Sequence, residues 1–218
     1  MAAAMTLRCR AVPLVIGAAW LCRSPAGATC APGITPLDPH SALVVVDLQR
    51  SIQGAPTPLP IDRLVANART MMDAFRAHAM PVILVRSSAQ PPGRIQQVHV
   101  AKAPADPRRS ELLDGLGQQA SDHVIEKMGW SAFTRTDLAA FLAGNHVTQV
   151  VIAGYSTTIA VEATARDAYD RGYNVTIVSD AITDPDAAGQ DWVVSKLFPR
   201  LGTVLTTREL GICLAGGP

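Results

Sequence analysis

Residues 41–47 read Ser-Ala-Leu-Val-Val-Val-Asp, an apolar run with no polar interruption that ends in an acid. A strand with one face in water alternates apolar and polar residues, so an uninterrupted run of this kind belongs to a strand covered on both faces, as in a parallel sheet. Further strands are expected at residues 81–86, 123–127, 147–153, 175–179 and 202–206. Helical segments fall between them. Leu64, Ala68, Met71, Met72 and Phe75 recur at helical spacing within residues 61–77. Further helices are expected over residues 136–142, 158–171 and 187–197, the second stopped by Gly172. Near-continuous alternation of strand and helix predicts a parallel sheet with helices on both faces. In such sheets ligand sites form at the carboxyl ends of the strands. Residues 87–107, rich in Pro, Gly, Gln and Ser without periodicity, predict a long loop of the kind that is usually functional.

With 218 residues, 48% apolar and 17% charged, the chain is expected to form one globular domain. A formal net charge of +1 without a long basic block excludes nucleic acid as the main partner. The first residues differ from the rest. Arg8 and Arg10 precede an apolar run over residues 11–22, followed by Ala26-Gly27-Ala28. That order is the one found in secretory leaders, and the run is too short to be a stable membrane anchor. Residues 1–28 are therefore expected to be a signal peptide, with a periplasmic or secreted product; the alternative is a cytoplasmic protein with an accidental extension. Residues 29–40 are expected as an N-terminal tail, 41–207 as the domain and 208–218 as a C-terminal tail. Cleavage after Ala28 removes Cys9 and Cys22 and leaves Cys30 and Cys213, near opposite ends of the mature chain. An oxidising compartment would permit them to pair, but spacing alone leaves the pairing open. The five histidines are scattered and no CxxC or HExxH spacing occurs, so neither a metal nor a cofactor is expected.

Three positions lie at expected strand ends: Asp47, Lys127 and the turn leading to Ala160. Singly, an acid or a lysine there is more often a solvated end than a catalyst. The turn, Gly154-Tyr-Ser-Thr-Thr-Ile-Ala160, joins a strand to a helix, whose first N–H groups have no partner within the helix. It therefore suits a developing negative charge. At least one of the hydroxyls of Ser156, Thr157 and Thr158 is expected to cap that helix rather than act as a nucleophile.

Taken together, Leu43-Val-Val-Val-Asp47-Leu-Gln49, Glu126-Lys127-Met-Gly-Trp130-Ser-Ala-Phe133 with Thr136-Asp-Leu138, and residues 151–168 resemble the isochorismatase-like cysteine hydrolases. The resemblance covers residues 41–207. It implies a doubly wound, Rossmann-like, three-layer αβα sandwich with about six mostly parallel strands, a small-molecule substrate, and a homo-oligomer, commonly a dimer or tetramer. It also implies a site of Asp47, Lys127 and a cysteine at position 160, with oxyanion donors at the N–H groups of Ser156 and Ala160 and a cis peptide between Tyr155 and Ser156. A thiol at a helix N-terminus beside a lysine has its thiolate favoured, and the carboxylate relays protons. Position 160 is alanine, which has no atom that can attack. Three readings stay open: an amidase-type scaffold whose thiol has been replaced, by engineering or by natural loss; a thiol-independent vinyl-ether hydrolase with Asp47 as general acid; and a binding protein without turnover. The turn is closer to the thiol amidases than to isochorismatases proper, which favours the first. Gln49, Trp130 and Tyr155 are expected to line the substrate pocket, although Trp130 suits packing under its loop equally well. Arg86, Arg94 and Gln96 are further candidates for meeting a polar substrate. The Asp-x-His metal pattern of nicotinamidases is missing after Arg86, which argues against a metal-dependent member.

Overall fold

The computed structural model describes residues 30, 35–88, 93–96 and 106–215. The expected leader and most of the expected loop over residues 87–107 lie outside the described residues. Six strands form one sheet: β1 (Ser41–Val46), β2 (Val82–Ser87), β3 (His123–Lys127), β4 (Gln149–Tyr155), β5 (Asn174–Thr183) and β6 (Thr203–Leu205), in the order β3-β2-β1-β4-β5-β6. Every pairing is parallel. The order reverses between β1 and β4, which makes their carboxyl ends the topological switch point where sites form in this architecture.

The alternating side chains of the central strands build two cores. Leu43 and Val45 of β1 face α1 (Ile61–Ala77) and α5 (Thr207–Ala215), packing against Leu64, Met71, Phe75, Leu210 and Leu214. Val44 and Val46 face the other way, toward α2 (Leu138–Gly144), α3 (Glu162–Asp170) and Phe198. This is the expected three-layer sandwich. Helix α1 carries Asp62 in its first turn and Arg76 in its last, each placed favourably for the helix dipole.

Several elements depart from the expectations, and β4 itself is shifted by two residues from the expected 147–153. Helix α2 starts at Leu138 rather than 136. The helix expected over 158–171 opens as a π-helical turn, Thr157–Val161, before regular α3; the Val161 N–H reaches back five residues to the Ser156 carbonyl at 3.0 Å. The helix expected over 187–197 likewise divides into α4 (Ala187–Trp192) and a π-helical segment Val193–Leu197. Strand β5 runs past Ser179 to Thr183 through an irregularity opposite Ile152 and Gly154.

The expected C-terminal tail contains α5, a buried helix rather than a free end. Its start is fixed twice. The Asp180 carboxylate accepts from the Thr207 N–H at 2.7 Å and hydroxyl at 2.8 Å, and Thr206 and Glu209 form a reciprocal capping box. Cys213 of α5 is joined to Cys30 by a disulfide, which settles the pairing that spacing left open. Both cysteines are buried.

Candidate active site

Strand β1 ends where Asp47 takes a left-handed backbone conformation, φ 55°, while its N–H still bonds to the Val85 carbonyl at 2.8 Å. Lys127 is the last residue of β3, two strands away, and its side chain reaches past the end of β2. Its Nζ lies 2.8 Å from Asp47 Oδ2 and donates to the Gly129 carbonyl at 2.9 Å. The ammonium is 2% exposed and the carboxylate 14%, so this is a buried pair. Among the described residues, Asp47 Oδ1 has no hydrogen-bond partner. Burial pushes the Asp47 carboxyl up to about 6, against the opposing charge and hydrogen bond of Lys127. A carboxyl in that range takes up and releases protons near neutrality.

On the other side of the switch point, β4 ends in Gly154-Tyr155, and the Tyr155–Ser156 peptide is cis. Gly154, at φ 132°, is required there: a Cβ would strike the Val46 carbonyl oxygen of β1. The turn that follows carries Ala160, buried at 4% exposure with its methyl among the core residues. Ser156 and Ala160, the residues whose N–H groups the resemblance assigns to an oxyanion, bracket this turn.

Tertiary bonds hold the turn in place. Thr164 Oγ1 donates to the Ala160 carbonyl at 2.7 Å and accepts from the Ala132 N–H at 3.0 Å. Ser131 Oγ donates to Asp167 on the same helix at 2.8 Å. The loop that follows Lys127 is thereby fastened to the helix that follows Ala160. At the amino end, the cap is not a hydroxyl of the turn, as expected, but the carboxylate of Asp184, just beyond β5. Its Oδ2 accepts from the Thr158 N–H and the Thr158 hydroxyl, each at 2.8 Å, and its Oδ1 accepts from the Asp186 N–H at 2.9 Å. Asp184 escaped sequence reasoning; the only signal was an acid closely following a strand.

The other pocket candidates separate. Gln49 has a clasp role: its Nε2 donates to the Ser51 hydroxyl and the Ser87 carbonyl, both at 3.0 Å, and to the Arg109 carbonyl at 3.3 Å, while its Oε1 accepts from the Ser87 N–H at 2.7 Å. That set engages the amide with the protein, tying the ends of β1 and β2 together. Trp130 is 62% exposed, so packing beneath the loop is not its role. Tyr155 is half-buried, its hydroxyl pKa pushed up by burial and by the Asp184 charge. Arg86 pairs with Glu126 at 2.8 Å, and Arg94 and Gln96 are exposed. Among the described residues, no three His, Cys, Asp or Glu side chains gather where they could hold a metal. A cleft of about 420 Å³ bounded by Ile61, Val65, Leu113 and two ion-paired arginines, Arg50 and Arg69, includes none of the site residues.

An all-parallel αβα sandwich, with a buried carboxylate–ammonium pair facing a strand–turn–helix anion turn across the switch point, defines a hydrolase scaffold of the cysteine-hydrolase type. Residues 41–209 match the isochorismatase domain, and the chain belongs to the isochorismatase family. It is 35% identical over 176 residues to the uncharacterized isochorismatase family protein YecD of Escherichia coli O157:H7, a match covering 78% of this chain and 94% of that protein. Its fold superposes on an isochorismatase family protein from Burkholderia thailandensis with a TM-score of 0.75 and 38% identity, covering 84% of this chain and 99% of that one. N-carbamoylsarcosine amidase from Thermoplasma acidophilum is similar at a TM-score of 0.63 and 30% identity, covering 77% of this chain and 96% of that one.

Proposed function

We propose that the strand-end site binds a small amide or related C–N substrate on an amidase-type scaffold from which the thiol nucleophile is missing, so that the chain does not turn such a substrate over by thiol chemistry. The observation that carries this reading is the Asp47–Lys127 pair, 2.8 Å apart and buried, which keeps a proton-transfer group in place although position 160 is a methyl. The amidase relative from Thermoplasma acidophilum supports the type of bond, C–N, and not the charge of the ligand. With a thiol at position 160, Asp47 takes the thiol proton, sulfur attacks the carbonyl carbon against the N–H groups of Ser156 and residue 160, the C–N bond breaks as the amine leaves with that proton, and solvent water then hydrolyses the thioester to the acid and the free thiol. Ala160→Cys, screened on small amides for ammonia release, is expected to gain activity that the unaltered chain lacks. No gain over background with any amide tried would count against the amidase lineage.

A second reading is favoured by the Asp47 carboxyl near 6. A vinyl ether is hydrolysed by protonation of its carbon, which needs an acid and no nucleophile. On that reading the unaltered chain hydrolyses isochorismate or a similar enol ether and Asp47→Asn abolishes the reaction. Unchanged turnover in that variant sinks it.

Export is also proposed, supported by the leader-like residues 1–28 and by the Cys30–Cys213 disulfide, since such bonds persist in oxidising compartments. Self-association into a dimer or tetramer is supported by the exposed apolar side chains of Met128, Trp130, Ile159 and Trp192. Light scattering on the purified protein tests it, and a monomer at micromolar concentration counts against it.

A further inference from the structure

We infer that the strand-end site selects an uncharged ligand over an anion, and that Asp184 is the residue that sets this selectivity. The inference rests on the reading of residues 154–160 as the substrate turn. It goes beyond that reading by assigning a charge preference to a residue outside the Asp47–Lys127–160 set.

The first turn of a helix ordinarily attracts anions, because its N–H groups lack partners and the helix dipole is positive there. In this turn one of those N–H groups, that of Thr158, is already taken by the protein. Asp184, 3% exposed, takes both the N–H and the hydroxyl of Thr158, two residues before Ala160. Its other oxygen accepts from the Asp186 N–H. Among the described residues no Lys, Arg or His lies within ion-pair distance of it. Its charge is therefore held by hydrogen bonds and leaves a negative field at the amino end of the turn.

Across the switch point the second carboxyl is Asp47, and the cation beside it is committed. Lys127 gives one donor to Asp47 and one to the Gly129 carbonyl. The other strand-end cation, Arg86, faces Glu126. A ligand carboxylate entering between the strand ends thus meets the Asp184 field and an already paired ammonium. An uncharged amide or other carbonyl does not incur that repulsion, and it still finds hydrogen-bond partners in the turn.

The test reads the field at position 160 with two alkylating reagents of nearly equal size, iodoacetamide, which is neutral, and iodoacetate, which is an anion. In Ala160→Cys each forms an S–C bond from the thiolate as iodide leaves, so the ratio of the two rate constants cancels the thiolate fraction. The neutral-to-anionic ratio is expected to exceed that of 2-mercaptoethanol in the same buffer by about tenfold, what one unit charge about 12 Å away gives at an effective dielectric constant of about 20. Adding Asp184→Asn, which keeps an acceptor for Thr158, is expected to lower the ratio at least about threefold in a protein that still melts cooperatively.

Measuring Ala160→Cys again at pH 5, where Asp47 carries its proton, separates the two carboxyls even if Asp184→Asn does not fold. A ratio that stays high at pH 5 supports Asp184, and one that falls to the 2-mercaptoethanol value overturns its role. A ratio at or below that of 2-mercaptoethanol at pH 7, one unmoved by Asp184→Asn, or no alkylation by either reagent also overturns the inference. Failure of the amidase reading has a different signature: Ala160→Cys would release no ammonia from amides while the alkylation ratio stays high.

Discussion

Asp47 should make the folded protein lose stability as pH rises through the weakly acidic range. Its carboxyl titrates at 3.8 when unperturbed and at about 6 in the fold. The folded state therefore holds this proton more tightly than the unfolded chain does. The stabilisation is fully present below about pH 3.8 and is lost as pH rises through about 6. A difference of about 6 − 3.8 = 2.2 units, at about 1.36 kcal/mol each, amounts to about 3 kcal/mol. About 2 kcal/mol of that falls between about pH 4.5 and pH 7. Desolvation is the cause, with Lys127 opposing it. Carboxyls held below their ordinary range, such as Glu209 at its capping box, contribute with the opposite sign. They cancel in a comparison with the double variant Asp47→Asn/Lys127→Met, which removes both members of the buried pair together. Urea unfolding at the two pH values should show the unaltered chain losing about 2 kcal/mol more than the double variant. Carboxyl-carbon NMR of aspartate-labelled protein should show one resonance titrating near 6 that is absent from the double variant. The reasoning fails if every aspartate titrates below pH 5 and the two proteins share one pH slope.

Replacing Cys30 and Cys213 together with serine opens a loop of sequence separation 183. The loss should be about 2–5 kcal/mol by denaturant unfolding, and a reductant should lower the stability of the unaltered chain but not of the double variant. Gly154→Ala places a methyl against the Val46 carbonyl at the junction of β1 and β4. It should cost more than about 4 kcal/mol, seen as loss of soluble folded protein by circular dichroism; a cooperative melt near that of the unaltered chain would refute the close approach. Thr164→Val removes the bonds to the Ala160 carbonyl and the Ala132 N–H at nearly constant volume. A loss of about 1–3 kcal/mol is expected, with Thr164→Ser staying within about 1 kcal/mol of the unaltered chain.

The sheet was legible because its central strands are covered on both faces, which turns Ser41–Val46 and Gln149–Tyr155 into apolar runs. Asp47 and Lys127 were legible as strand ends from the residues alone, and as a pair once the resemblance set them side by side. What escaped depends on partners distant in sequence. Strand β5 reads as finished at Ser179-Asp180, yet Asp180 is polar because it caps α5, 27 residues on. The capping box Thr206-x-x-Glu209 was a readable signal for α5, and the short chain end after it hid the helix. The side chain of Gln49 suggests a pocket residue until its partners, 38 and 60 residues away, are known. The π-helical turn cannot come from periodicity, since it is held by Asp184, 26 residues from Thr158, and through Thr164 by the Ala132 N–H, 32 residues away.

That last point explains how the site keeps its shape without a nucleophile. The turn is fixed by the Asp184 carboxylate, the Thr164 hydroxyl and the close approach at Gly154, and none of these involves the side chain of residue 160. Thr164 joins the turn to the loop that follows Lys127, so the Asp47–Lys127 pair is registered against it with alanine in place. The absence of sulfur thus bears on turnover and not on the positions of the surrounding groups. Charge then distinguishes the two catalytic readings. Isochorismate is a dianion, and a site that holds it needs cations free to meet carboxylates, whereas the ammonium here is paired and the turn is capped by a buried acid. On the proposed amidase reading, a neutral amide fits that field. The alkylation ratio at position 160 therefore discriminates between the readings before any substrate is in hand.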